Sequence, residues 1–322
     1  MLKKIIKIMS RTAHKVLVFS YRKNTFYTQA FGDGSRINKQ LKFDLDIINT
    51  GSNSAYFGID YSGSNIHGAN LAMRPQSLNQ DLNMLKMFES YLKPKGTILV
   101  SLCPFSSCYK TYKNVDLERY YTLWHPALIE NFDINKCEEL WQIKNNPLKY
   151  KPKDMLKGYI RFIVRKLLGK KDMFDMSKQP MSAEQLEQDA QRWIDGWKKQ
   201  FNILDLEAPL TELILEGRQK RIETLKEIIS FCKEREFRLV FVIHPITKYL
   251  SSKITPKFRE LYINSFLTEA GAENIPFLNY LDDEELQNPK YYFNSFFLNK
   301  WGRKVFTERV IRDLKMGDAI IL

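Results

Sequence analysis

The chain has 322 residues, of which 44% are hydrophobic, 13% aromatic and 27% charged. That is ample apolar material for a buried core, and it excludes wholesale disorder. Fifty Lys and Arg against 37 Asp and Glu leave a formal charge of +13; no run of 18 apolar residues occurs, so no segment is expected to span a bilayer.

Residues 1–40 read as a basic leader and lead-in, opening MLKKIIKIMSRTAHKVLVF. They lack a long apolar stretch followed by a small-residue cleavage site, so a secretory signal is not expected. LDIINT (45–50) is a short apolar strand running into Gly51-Ser52-Asn53-Ser54, a tight turn. Residues 79–92 carry Leu82, Leu85 and Leu92 at helical spacing, ended by Pro94 and Gly96. TILVSLCPF (97–105) then predicts a fully buried strand. Residues 109–205 lack strand signals and predict a helical insertion, with a helix entered at Ser182 and a capping partner at Gln185. A helix from Pro209 to about Glu236 follows, with Leu213, Ile214, Leu225 and Ile229 on its apolar side. RLVFVIHP (238–245) is the strongest strand; a helix over 258–270, the strand IPFLNY and a closing helix over 300–315 complete the order. Strand and helix in alternation imply a three-layer α/β/α sandwich on a mostly parallel, flavodoxin-like sheet. The expected domain comprises 41–108 and 206–322, interrupted by the insertion.

In such sheets ligands bind beyond the carboxyl ends of the strands, which draws attention to Gly51-Ser52, Cys103-Pro104, His244-Pro245 and Asn279-Tyr280. A glycine before a serine lets the backbone bend and present a hydroxyl beside free amides, as acyl transfer needs; the same pair is also ordinary turn and helix-cap chemistry. Cys103, Cys108, Cys137 and Cys232 fit no CxxC spacing, which suits a reducing, cytoplasmic setting. No HExxH or EF-hand pattern occurs, and neither metal nor cofactor is expected. Asp282 to Glu285 reads as an acidic helix start, and Trp193 and Trp197, at i and i+4, as helix packing or a carbohydrate-stacking face.

Three blocks, IINTGSNSAYFGID, GANLAMRPQSLNQDLNML and YYFNSFFLNKWGRKVFT, together resemble the SGNH/GDSL hydrolase superfamily. They look closest to its branch found with bacterial cell-surface polysaccharide biosynthesis. The resemblance runs in order from Leu45 to Thr307, with the insertion unmatched; its most specific part is Leu298-Asn299-x-x-Gly302 followed by Phe306-Thr307. It implies Ser52 as nucleophile and Gly68 and Asn70 as oxyanion donors, with Asn53 and His67 as further substrate-binding candidates. It also exposes a departure. Asn294 stands at the position of the triad aspartate, and Phe297 at that of the catalytic histidine. A serine needs a base oriented by an acid, and phenylalanine supplies none. Of His14, His67, His125 and His244, His244 is the first candidate for a relocated base and His67 the second.

Two principal readings follow. One is a serine esterase or O-acyltransferase acting on a glycan or acylated small molecule. The other is an inactive binding or scaffold protein on the cytoplasmic membrane face. The second draws on YKPKDMLKGYIRFIVRKLLGKKDMF, in which Met155, Tyr159, Phe162, Ile163 and Leu167 recur at helical period beside Lys157, Arg161, Arg165 and Lys166. A basic amphipathic helix of this kind suits an anionic membrane surface, or else packs on a core with its charges solvated. Nucleic acid is not expected as a partner, since no recognised binding signature accompanies the charge.

Overall fold

The computed structural model describes residues 20–21, 23–108, 118–169, 176–177 and 180–316. The basic leader up to residue 19, with His14, lies outside them, as does the start of the insertion at 109–117. The chain divides into two compact units, one from residues 1–39 and 113–173, the other from 40–112 and 174–322.

The second unit is built on a five-stranded sheet: β1 (Leu45–Thr50), β2 (Gly68–Asn70), β3 (Leu92–Leu102), β4 (Arg238–Ile243) and β5 (Phe277–Asn279). The order is β2-β1-β3-β4-β5 and every pairing is parallel, the flavodoxin-like arrangement. Alternate side chains face opposite layers. Ile47, Leu99, Val240 and Val242 pack with Phe306 and Val310 of the closing helix on one face. Ile48, Ile98, Val100 and Phe241 are also buried and alternate with them toward the other face. The three-layer α/β/α sandwich expected from the strand–helix alternation is thus the observed fold. The sheet is wholly rather than mostly parallel.

The main helices, in chain order, are α1 (Thr25–Gln40), α2 (Asn53–Gly58), α3 (Leu78–Phe88), α4 (Ile134–Asn145), α5 (Pro152–Leu167), α6 (Ala183–Phe201), α7 (Glu212–Glu234) and α8 (Lys300–Met316), with shorter helical turns between them. Where a helix over 258–270 is expected, a continuous helical stretch runs over 256–269 and is π-helical at Glu260–Asn264. Capping explains several of their starts. Ser182 and Gln185 form a reciprocal capping box at α6, as the sequence predicts, and Ser77 and Gln80 form a second at α3. Thr211, rather than Pro209, caps α7. Leu213 there is exposed while Ile228 is buried, because at about 3.6 residues per turn Leu213 falls off the face that Ile214, Leu225 and Ile228 share.

Two further expectations change. β3 starts at Leu92, ahead of Pro94 and Gly96, and its register against β1 shifts between Leu45 and Ile47 to absorb them. Asp282 to Glu285 form a turn rather than a helix start. Asp282 takes Ser251 and Arg259, while Asp283 and Glu285 pair with Arg309. α6, read as part of the insertion, falls in the sheet-bearing unit.

The residues quoted in the final block have structural work. Asn299 Oδ1 accepts from the Trp301 and Gly302 amides at 3.0 Å, and its Nδ2 donates to the Lys290 carbonyl at 2.7 Å, so it caps α8. A side chain at Gly302 would strike the Tyr291 carbonyl. Arg303 donates to the Ile59 carbonyl at 3.0 and 2.6 Å, and Thr307 Oγ1 accepts from the Asp60 amide at 2.9 Å. α8 thereby clamps the end of α2, the helix that follows Ser52.

In the first unit, α1 and α5 meet where Asn24 Nδ2 donates to the Met155 carbonyl at 2.7 Å, beside Gly158. Tyr120, Trp124 and Met155 are buried there.

Candidate functional site

Strand order reverses between β1 and β3, which opens a crevice beyond their carboxyl ends. A cavity of about 400 Å³ occupies it, within the range of small-molecule sites. Gly51 makes the turn out of β1 at φ +133°, a backbone region that disfavours any side chain. Its amide donates to Asp81 Oδ1 at 2.8 Å, and Gln76 Nε2 donates to the same oxygen at 2.6 Å. Ser52 sits at the cap position of α2 without capping it; its Oγ instead accepts from the Gln76 amide at 3.2 Å. Ser52, Asn53, Gln76, Asp81, Ser101 and Arg221 form the polar lining. Phe105, Trp193, Trp197, Phe201 and Phe296 form an aromatic one. Phe105 lies 4.6 Å from Trp197 and 5.5 Å from Phe201 between ring centroids, and Phe296 lies 5.0 Å from Trp197.

Burial dominates the electrostatics. It pushes the Asp81 carboxyl up to about 7, against the opposing pull of the Gln76 and Gly51 hydrogen bonds and the Arg221 charge. It pushes the Cys108 thiol up to about 12, so that thiol is neutral and no nucleophile. His244 is held down at about 3 by the same desolvation and is uncharged at neutral pH.

The structure unites some of the candidate residues and separates others. Ser52 and Asn53 line the cavity. Gly68 does not: it opens β2 level with Ile47, three residues before the end of β1 and so roughly 10 Å down the sheet at 3.3 Å per residue. His67, one residue earlier, is exposed and bonded through its backbone to Asp46, on the amino-terminal side of the sheet and away from Ser52. Asn70 is buried with its amide fully occupied. Its Nδ2 donates to the Ala55 and Ile59 carbonyls, both at 2.9 Å, and its Oδ1 accepts from Asn49 Nδ2 and the Ala72 amide, both at 3.0 Å. It fixes the seat of α2 and has no proton left for an oxyanion.

Asn294 accepts from the Phe296 and Phe297 amides at 3.0 and 2.7 Å, and so shapes its own loop. Phe297 is buried, 5.0 Å from Phe57 and 5.5 Å from Trp193 between centroids. The aromatic ring fills the space beside α2 with hydrocarbon. His244 Nε2 lies 3.0 Å from the Ser101 hydroxyl, not the Ser52 hydroxyl, and its Nδ1 is buried without a hydrogen-bond partner. Gly58 and Phe306 pack against its ring.

Sequence reasoning missed Gln76, Asp81, Ser101 and Arg221. Asp81 and Arg221 sit on helices α3 and α7, where their polar character reads as surface. Only the alternation of β3, which turns Ser101 toward α2, carried a signal. Among the described residues, no group of three or more His, Cys, Asp and Glu is placed to hold a metal ion. Neither a family model nor a curated protein matches this sequence, so the chemistry rests on the geometry.

Proposed function

We propose that this protein is an SGNH-like binding protein whose β1–β3 cleft holds a glycan residue or acylated small molecule without hydrolysing it. The observation carrying this reading is the environment of Ser52: its Oγ accepts from one backbone amide and meets no base among the described residues. An unactivated serine is a poor nucleophile at neutral pH. The aromatic lining supplies the flat apolar surface on which a sugar face stacks, and the amides and hydroxyls opposite it supply orientation. The resemblance in sequence supports a role in bacterial surface-polysaccharide biosynthesis or O-acyl modification.

The Ser101–His244 contact supports a second reading, an esterase using Ser101. It suffers from the same burial. An imidazole with no acid behind Nδ1 and a strongly depressed pKa is a weak base. Hydrolysis of p-nitrophenyl acetate is therefore expected to be equal for the purified protein, Ser52→Ala and Ser101→Ala. A rate lost in Ser52→Ala would make Ser52 the nucleophile, and one lost only in Ser101→Ala would establish the second reading; either overturns the non-catalytic one.

The site of action we infer is an anionic membrane surface, reached through α5. That helix buries Met155 and Gly158 and leaves a second apolar stripe outside: Leu156, Ile160, Ile163, Val164 and Leu167, between 44% and 80% exposed. These positions fall on one face of a helix, and Lys157 and Arg161 flank it, the complement of acidic headgroups. No described helix is long and apolar enough to cross a membrane. The full chain should co-sediment with phosphatidylcholine vesicles containing 30% phosphatidylserine, less so in high salt, and Ile160→Glu/Ile163→Glu should abolish it. Failure of the unmodified chain to co-sediment at low salt would remove the proposal.

A further inference from the structure

Arg218 and Arg221 lie one turn apart on α7 and are treated differently by the fold. Arg218 is 2% exposed and fully engaged. Its Nη2 donates to Glu269 Oε1 at 2.7 Å and to Ser265 Oγ at 2.9 Å, and its Nη1 donates to the Leu261 carbonyl at 3.0 Å. Arg221 lines the cleft, and its Nε is buried without a hydrogen-bond partner. A desolvated guanidinium donor left unpaired is costly, and such a group in a cavity marks where a ligand completes the structure.

We propose that Arg221 anchors an oxyanion on the ligand, so that the cleft selects an acidic sugar, carboxylated or phosphorylated, over a neutral one. The proposal deepens the binding reading above and rests on it. Arg221 is the only cation among the described residues lining the cavity, and its planar fork matches carboxylate and phosphate oxygens two at a time. The one acid on the lining, Asp81, takes the Gly51 and Gln76 donors on Oδ1, and Arg221 acts on it through space without a direct salt-bridge contact. Burial also lifts its carboxyl to about 7, so that it is only partly charged at neutral pH. The aromatic rings of the lining supply apolar surface for the ring that carries the anion.

The test is an NMR titration of the full chain with glucuronate, glucose 1-phosphate, glucose and inorganic phosphate, at constant ionic strength. The readouts are the indole N–H signals of Trp193 and Trp197 and the Nε–H signal of Arg221. Glucuronate or glucose 1-phosphate should shift all three and bind at least tenfold more tightly than glucose, and the comparison of the two tells carboxylate from phosphate. Arg221→Met should erase that preference, and Arg221→Lys should restore part of it. Equal affinity for glucose and both acidic sugars would overturn the role of Arg221 and leave the sugar cleft standing. Shifts with inorganic phosphate alone would keep the anion site and overturn the sugar. Silence of all three signals with every probe would overturn both.

Discussion

Gly51→Ala is expected to destabilise the protein by about 3–5 kcal/mol, the sum of left-handed backbone strain and overpacking. The glycine sits at φ +133°, and a Cβ there would fall 2.7 Å from Ser101 Cβ, 2.9 Å from Ala55 Cβ and 3.0 Å from the Ser101 carbonyl oxygen. Neither neighbour can retreat. Ser101 belongs to the central strand and is tied to His244, and Ala55 is buried in α2. The added methyl would push the Ser52 turn off β3 and break the Gly51–Asp81 hydrogen bond, so ligand affinity should fall together with stability. Adding Ser101→Gly removes the nearest contact but not the backbone strain, and should recover only part of the loss. Chemical denaturation of the three proteins checks this; a Gly51→Ala variant within 1 kcal/mol of the parent would show that the turn is not the close-packed element described.

Asp81→Asn is expected to stabilise the protein at pH 8 by roughly 2–4 kcal/mol and to leave it almost unchanged near pH 4. The sign follows from proton binding. In the unfolded chain the carboxyl ionises near its ordinary 3.8, while burial raises it to about 7 in the folded protein. Below 3.8 both states are protonated and no penalty exists. The penalty for burying the charge grows as pH rises through that interval and levels off above 7. Asparagine keeps an oxygen for the Gly51 and Gln76 donors and never ionises. His244 works in the opposite direction: neutral in the fold down to about pH 3, it loses stability as pH falls below 6.5, where the unfolded imidazole gains a proton. Between about pH 4 and 6.5 the two slopes offset each other in the parent protein. Removing Asp81 should uncover the histidine, so that the variant's stability climbs with pH across that window. Thermal unfolding of the pair from pH 4 to 8 reads the difference directly. A gap between the two melting temperatures that does not widen with pH would rule out a buried, destabilised carboxylate at this position.

Both predictions concern the floor of the same cleft, and they connect its rigidity to its chemistry. The fold spends its buried polar groups on the Gly51 turn and the helix that follows it: Asp81 and Gln76 at the turn, Asn70 along α2, Arg303 and Thr307 of α8 at its end. A serine hydroxyl on this turn, with no base beside it among the described residues, is what the proposed binding role requires.

Local pattern was enough for the layered architecture. Apolar runs at 45–50, 97–102 and 238–243 have no polar face to spare, so they belong inside a covered sheet, and the capping pair at Ser182 and Gln185 acts within four residues of chain. That position 297 is phenylalanine and offers no base was legible in the same way, because it is a matter of residue identity alone. What the tertiary structure decided is which distant groups share a space. His244 follows the strongest strand, yet the twist and register of β3 and β4 aim it at Ser101. Gly68 and Asn70 stand two residues apart on β2, yet the first lies down the sheet and the second is consumed by backbone carbonyls. Asp81 and Arg221 are separated by 140 positions and look like surface charges on their own helices. Only packing buries the Asp81 carboxyl and the Arg221 Nε, and burial is a property of the assembled interior.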